Sequence, residues 1–176
     1  MNALDILKAQ HRKVAALFAE LDGAASFSAR RGKLWELADA LVVHAAIEEN
    51  NFYPSVMMKA TGPLLRDALA GHAEIKRVVI ELLELEPDDA TFEAKASLLR
   101  DEVQHHIEEE ESELFPRVER LFTEEALAAI GEAMEVTQTT LWRDHGRGRG
   151  RAAVVNGADN PAPRRLTSAL LRLRRA

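Results

Sequence analysis

The sequence predicts an all-α protein: an up-down-up-down four-helix bundle from a duplicated helix pair, with an extra C-terminal helix and a disordered basic tail. Apolar residues recur every three or four positions through most of residues 1–122, and no alternating strand pattern persists. Short turns separate four segments of helix length, as in an up-down bundle. A segment that begins at His44 also recurs 62 residues later at His106, which indicates the duplication.

The four core helices are bounded by residues that commonly begin or end helices. Asn2 is the expected N-cap of the first helix, and Gly23 is expected to end it. Pro63 suits the first turn of the third helix. Pro54 and Pro116 predict kinks within the second and fourth helices. The predicted ranges are 2–21, 28–59, 63–85 and 90–122.

A fifth helix is predicted to lie outside the bundle or across one end of it. Thr123 is its expected N-cap, and the helix is expected to end near Arg143. We therefore divide the chain into a helical bundle over residues 1–143 and a basic tail over residues 144–176. The tail lacks a core-forming pattern and is expected to be disordered, apart from a short amphipathic helix near its end.

The charge of the chain changes sign near the same boundary. Residues 1–145 carry 15 basic and 28 acidic side chains, whereas residues 146–176 carry eight Arg and one Asp. The tail is therefore a candidate for contact with an anionic partner, but its Arg residues lack the interleaved aromatic residues of a nucleic-acid site. We expect no nucleic-acid partner. With no signal-peptide pattern and no apolar run of ~20 residues, we expect no transmembrane segment and a cytoplasmic location.

The 176 residues include no Cys, which excludes disulfides, zinc–thiolate sites and iron–sulfur clusters. The hydrophobic share of 47% and the charged share of 30% are typical of a globular protein. Any metal site in this chain must therefore use nitrogen and oxygen ligands.

The informative polar residues are those that interrupt the apolar stripes. Each predicted core helix has one His in its stripe, and the second and fourth helices also have a Glu four residues after that His. Because residues at i and i+4 share a helix face, each of these His–Glu pairs points into the interior. The six candidate metal ligands are His11, His44, Glu48, His72, His106 and Glu110.

Two buried carboxylates would destabilise the bundle unless cations balance them. Burial and mutual repulsion both disfavour their ionisation, and the predicted seams near Glu48 and Glu110 contain no Lys or Arg. One or two dications would neutralise the pair. If both Glu bridge two metals and each metal takes two His, each metal has four protein ligands, and an oxo or hydroxo bridge adds a fifth. Iron, manganese and zinc all accept this ligand set.

The pattern H…HxxxE…H…HxxxE, in which each HxxxE segment runs into an aromatic residue and Pro54 or Pro116, resembles the hemerythrin-like HHE cation-binding domain. The resemblance covers residues 1–122. It implies two iron ions at a non-haem site that binds, senses or reduces dioxygen, peroxide or nitric oxide. It also implies bridging roles for Glu48 and Glu110 and terminal roles for the four His residues.

One position departs from the oxygen-carrying members of that family. They have a fifth His one turn after the third-helix His, and this chain has Lys76 there. The departure favours sensing, detoxification or iron handling over reversible oxygen carriage. Whether the protein is an enzyme is left open.

Several alternatives stay open beside this interpretation. The chain could be a metal-dependent regulatory or interaction module, or an iron-handling protein without turnover, or a bundle whose His and Glu only serve packing. His105 lies off the stripe and is interpreted as exposed. Glu49 and Glu111 could accept ring N–H groups from ligand His residues, or they could be solvated. Tyr53 is interpreted mainly as a packing residue that could also influence redox chemistry.

Overall fold

The computed structural model describes the backbone of residues 1–152 and the side chains of residues 1–143. Every regular element in this part of the chain is helical, which confirms the all-α prediction. Four long helices form the bundle, two of them continue through a π-helical turn into a short helix, and a last helix follows. The elements are α1 (Ala3–Asp22), α2 (Phe27–Ile47), π1 (Glu48–Phe52), α3 (Tyr53–Val56), α4 (Gly62–Glu84), α5 (Phe92–Glu109), π2 (Glu110–Leu114), α6 (Phe115–Leu121) and α7 (Glu124–Ala152).

The start of α1 follows the predicted capping chemistry. The Asn2 side chain accepts a hydrogen bond from the backbone N–H of Asp5, and the Asp5 side chain accepts one from the backbone N–H of Asn2. This reciprocal pair is a capping box. Gly23 caps the other end, where its backbone N–H bonds to carbonyls of α1. Both predicted boundaries of the first helix are confirmed to within one residue.

The predicted kinks at Pro54 and Pro116 correspond to two π-helical turns. Each proline is the second residue of the short helix that follows its π turn. Proline donates no backbone hydrogen bond, and its ring crowds the preceding turn of an α-helix. A widened turn before the proline relieves this crowding. The backbone N–H of Tyr53 bonds to the carbonyl of Glu48, and that of Phe115 bonds to the carbonyl of Glu110. Both π turns therefore begin at a predicted metal ligand.

Two helix ends differ from the predictions. The second helical segment ends at Val56, three residues before the predicted end, because Met57 adopts an extended conformation. The fifth helix continues to Ala152, beyond the predicted end at Arg143. Helix propensity does not explain this extension, since Gly146, Gly148 and Gly150 disfavour a helix. The disordered tail was predicted to begin at residue 144, but residues 144–152 continue α7. The rest of that prediction, and the predicted short terminal helix, concern residues 153–176, which lie outside the described residues.

The core consists of two apolar clusters with the polar residues between them. The first cluster lies between α1, α2, α4 and α5 towards the α1–α2 loop, and includes Leu17, Leu37, Leu82 and Leu99. The second lies at the opposite end of the bundle, where α1 and α4 meet the short helices and α7. Gly131 lets α7 approach α1, since a Cβ there would lie 2.7 Å from the backbone oxygen of Met1. No helix in the described part combines the length and hydropathy that a membrane span needs.

Candidate metal centre

All six predicted ligands meet in one buried layer between the two apolar clusters. None of the six is more than 5% exposed. Their ligand atoms form two overlapping groups, each with its atoms within 4.8 Å of one another, and both groups include His44 and Glu48. The four His residues come from α1, α2, α4 and α5, and the two Glu residues open π1 and π2. The structure thus brings the six predicted ligands together in the interior of the bundle.

The imidazoles form two pairs, one from each copy of the repeat. The ring centroids of His11 and His44 lie 4.9 Å apart. Those of His72 and His106 lie 4.6 Å apart, and their Nε2 atoms are separated by 3.1 Å. Two neutral imidazoles with nitrogens this close suit a shared metal ion, which would take one lone pair from each.

Each buried carboxylate lies between the two imidazole pairs. The Oε2 atom of Glu48 is 3.2 Å from His44 Nε2 and 3.0 Å from His72 Nε2. The Oε2 atom of Glu110 is 3.4 Å from His11 Nε2 and 3.6 Å from His106 Nε2. Both carboxylates therefore stand where a ligand that bridges two metal ions would stand.

The outer nitrogens of three imidazoles are held by protein acceptors. His11 Nδ1 is 2.6 Å from Glu111, and His72 Nδ1 is 2.8 Å from Glu49. In these two contacts Glu111 and Glu49 accept ring N–H groups, each from the other half of the repeat, which is one of the two alternatives that the sequence left open. The third acceptor is Gln10, whose Oε1 lies 2.9 Å from His44 Nδ1. An acceptor on Nδ1 orients the ring and leaves Nε2 with its lone pair directed inwards.

The electrostatics of the layer show why it needs cations. Burial and the neighbouring charge of Glu110 raise the pKa of Glu48 to about 7. Burial also raises the pKa of Glu110, but the nearby imidazoles of His11, His106 and His44 outweigh it and lower that pKa to about 2. Without metal, the layer therefore holds one carboxylate readily ionised and the other only with difficulty.

Several buried polar atoms of this layer lack a hydrogen-bond partner. Buried nitrogen and oxygen atoms are nearly always satisfied in native proteins. The exceptions here are concentrated on the predicted ligands, and each carries a lone pair that a cation could accept. The residues present therefore fit one or two metal ions. The unpartnered ligand atoms are His11 Nε2, His44 Nε2, Glu48 Oε1 and Glu110 Oε2.

Comparison with known proteins decides the family. The family described as the hemerythrin HHE cation-binding domain matches residues 2–118. The chain belongs to the hemerythrin HHE cation-binding family. A crystal structure of an HHE cation-binding domain-containing protein from Mycobacterium kansasii is similar over 88% of this chain and 98% of that one, with a TM-score of 0.75 and 25% identity.

A longer relative also contains a similar region. A protein named DNA nickase from Nostoc sp. (strain PCC 7120) is 27% identical over 142 residues, which is 81% of this chain. This chain spans 37% of that relative's length.

Tyr53 also belongs to the candidate metal centre of this HHE domain (hereafter the HHE centre), which the sequence did not show. Its buried hydroxyl donates a 2.8 Å hydrogen bond to Glu110 and lies 3.3 Å from Glu48, and its ring stacks on His72. Burial and the two carboxylates raise its pKa, so the phenol keeps its proton. The signal in the sequence was that Tyr53 lies five residues after Glu48. In a π turn, but not in an α-helix, residues five apart lie on the same side, so Tyr53 points in the same direction as Glu48.

Lys76 stands at the edge of the centre and is not directed at the metal layer. Its ammonium group lies 2.5 Å from Glu49, the acceptor of His72. It also lines a small cavity of about 20 Å³ beside the four imidazoles, whose other walls are mainly aliphatic. A cavity of this size holds about one water molecule. His105, by contrast, is exposed and faces Glu109, as the sequence indicated.

Proposed function

We propose that this HHE domain is a non-haem di-iron protein that binds, senses or reduces dioxygen, peroxide or nitric oxide. The observation that carries the proposal is the pair of His pairs, each provided by one repeat, with two buried carboxylates between them. His11 and His44 would hold one ion, and His72 and His106 the other. Glu48 and Glu110 would bridge the two, with an oxo or hydroxo group as a further bridge.

The small cavity supports a ligand of very few atoms. The bound iron pair would supply redox chemistry and an open coordination position. The chain itself limits what reaches that position, because the cavity of about 20 Å³ is lined by the imidazoles and by aliphatic side chains. Its size and apolar walls suit a diatomic molecule or peroxide. Tyr53 keeps a proton directed at Glu110 and so holds that carboxylate in place.

Metal analysis of the purified chain tests the proposal. Protein from iron-fed cells should contain two iron ions per chain, the number that the two overlapping ligand groups allow, and should show an oxo-to-iron absorption band. Glu110→Gln should lose most of this iron, because it removes a bridging charge. Glu113→Gln changes an exposed residue of the same π turn and should keep it. A folded wild-type protein that takes up no metal would refute the proposal.

A metal-dependent regulatory module, or an iron-handling protein without turnover, is the alternative use of the same centre. It is supported by α7, which packs on the bundle and leads into the basic segment of the chain. Removing residues 144–176 should then abolish partner binding and leave metal content unchanged. Unaltered partner binding after this deletion would exclude the tail as the contact with an anionic partner.

Nicking of DNA is a second candidate, and it comes from the name of the Nostoc relative. The acidic charge of residues 1–145 opposes it, because contacts to phosphates need Lys and Arg. We expect metal-loaded protein to leave supercoiled plasmid intact at physiological salt. Conversion of the plasmid to the nicked circle by wild type, but not by Glu110→Gln, would make this the leading candidate.

A further inference from the structure

Two glutamines connect the last helix with a candidate metal ligand. His44 Nδ1 lies 2.9 Å from Oε1 of Gln10 on α1, and Gln10 Nε2 donates a 2.9 Å hydrogen bond to Oε1 of Gln138 on α7. Gln10 and Gln138 are 128 positions apart in the chain. The contact is formed only because α7 packs along α1.

The direction of these hydrogen bonds fixes the protonation of the His44 ring. An amide has one accepting end and one donating end. Because Gln138 accepts from the amide nitrogen of Gln10, the carbonyl oxygen of Gln10 must face His44. That oxygen can only accept, so His44 carries its hydrogen on Nδ1 and keeps a free lone pair on Nε2, the atom that faces the centre. If Gln10 turned over, its amino group would favour hydrogen on Nε2, which cannot then bind a metal.

We propose that Gln138 is a positioning residue for metal binding, and that it acts through Gln10 on His44. The inference rests on the proposed function, since it assigns α7 a part in setting the metal affinity of that site. Removing such an outer hydrogen-bond partner typically weakens metal binding by about 10–100-fold. A partner protein that displaced α7 would weaken binding through the same contact.

The hydrogen bonds from Gln138 through Gln10 to His44, here called the relay, reach one of the two His pairs and not the other. The repeat places Gly71, 61 residues after Gln10, at the corresponding position of α4. Gly71 has no side chain to reach a ring, and His106 Nδ1 has no hydrogen-bond partner among the described side chains. A Cβ on Gly71 would lie 3.3 Å from that nitrogen. The helix α7 is therefore connected with the first pair and not with the second.

The test uses metal-free full-length protein titrated with Co²⁺ under anaerobic conditions, with a competing chelator and the visible absorption of bound Co²⁺ as readouts. Gln138→Leu removes the acceptor and keeps the side-chain size. Gln138→Glu keeps an oxygen that accepts from Gln10. Gln104→Leu is the matched control, because Gln104 is the one other glutamine of the chain and its side chain bonds to the exposed Glu108.

We expect Gln138→Leu to weaken one of two Co²⁺ sites by about 10-fold, the lower end for an outer partner because it acts through Gln10. Gln138→Glu should restore the wild-type affinity, and Gln104→Leu should not change it. Equal affinities of wild type and Gln138→Leu would overturn the relay alone, and so would a Glu variant as weak as the Leu variant. A wild type that binds no Co²⁺ would overturn the proposed function as well.

A second measurement does not depend on the fold of a variant. Long-range proton–nitrogen NMR correlations in the metal-free wild type report which ring nitrogen of His44 carries hydrogen when the ring is neutral. The relay requires hydrogen on Nδ1. Hydrogen on Nε2 of neutral His44 would overturn the proposal.

Discussion

The two halves of the HHE centre share their ligands but differ in what surrounds them. Each half has two His residues and one Glu at equivalent positions of the repeat, and each π turn begins at the Glu. The differences lie one contact further out, where Gln10 corresponds to Gly71, Tyr53 to Phe115, and Ala15 to Lys76. In the first half, Gln10 connects His44 with α7. In the second half, His106 Nδ1 has no side-chain acceptor among the described residues, and Lys76 lies beside Glu49, the acceptor of His72.

This difference shows which features the proposed metal pair requires in both halves and which it does not. Nitrogen and oxygen donors must be present in both halves, since each ion needs several of them. The outer partners only tune orientation and affinity, so they can differ between the halves. The two metal positions should therefore be inequivalent, and the following variants test that inequivalence.

The largest effect should come from removing one imidazole from either pair. His11→Ala and His72→Ala should each lower the affinity for one of the two ions by more than about 100-fold. Removing a ligand should cost more than removing an outer hydrogen-bond partner, which typically weakens binding by about 10–100-fold. Iron content per chain after gel filtration is the measurement. His105→Ala removes an exposed imidazole and is the control. If His11→Ala lost both ions, the pairs would not hold their metals independently.

The next largest effect is expected for Tyr53→Phe, which makes the first half resemble the second. The change removes the hydroxyl that donates to buried Glu110. A hydrogen bond to a charged group contributes about 1.5–3 kcal/mol, so the metal-free variant should lose about 2 kcal/mol of unfolding free energy in urea. An unchanged midpoint would mean that water replaces the phenol. The metal-loaded proteins should differ less, since metal ions would then hold the carboxylate.

The bundle and the six candidate ligand positions could be predicted from the sequence because both depend on local spacing. A His in an apolar stripe and a Glu four residues later share a helix face whatever the rest of the chain does. The repeat then relates His44 to His106 without any knowledge of packing. These features are periodic, and periodicity is what a single sequence records best.

The remaining features of the site depend on backbone detail or on distant contacts. The prolines predicted kinks, but only the backbone shows that each kink is a π turn, and the π turn is what directs Tyr53 at Glu110. The contact between Gln10 and Gln138 depends on how α7 packs. A polar residue on an exposed stretch of helix carries no signal of such a partner. The extension of α7 to Ala152 was missed because the sequence after Arg143 has no apolar stripe.

A smaller effect is expected for Gln10→Glu, which replaces the amide acceptor of His44 with a carboxylate. The rings of His11 and His72 already have carboxylate acceptors. A carboxylate makes the imidazole a stronger donor to metal, so Co²⁺ affinity should rise by about 10-fold, the lower end of the outer-partner range. Chelator competition measures it. A decrease would show that the amide donor to Gln138 matters more than the charge of the acceptor.

The smallest effect concerns Glu49 and its dependence on pH in the metal-free protein. Burial raises the pKa of Glu49, but hydrogen bonds from His72 and Lys76 outweigh it and lower the pKa from 4.5 to about 2. Since the folded pKa lies below the unfolded one, this carboxylate stabilises the fold above about pH 5 and loses that contribution as the pH falls towards 2. Glu49→Gln should therefore cost about 1 kcal/mol at pH 7.

The comparison with Glu111→Gln separates the charge of Lys76 from the hydrogen bond to a ring. Glu49 faces both His72 and Lys76, whereas Glu111 has only His11. The Glu49 variant should thus lose more stability than the Glu111 variant at pH 7, and its difference from wild type should disappear near pH 2. Urea midpoints measured from pH 7 to pH 2 give both values. If the Glu49 difference persisted at pH 2, packing of the side chain and not its charge would stabilise this half of the centre.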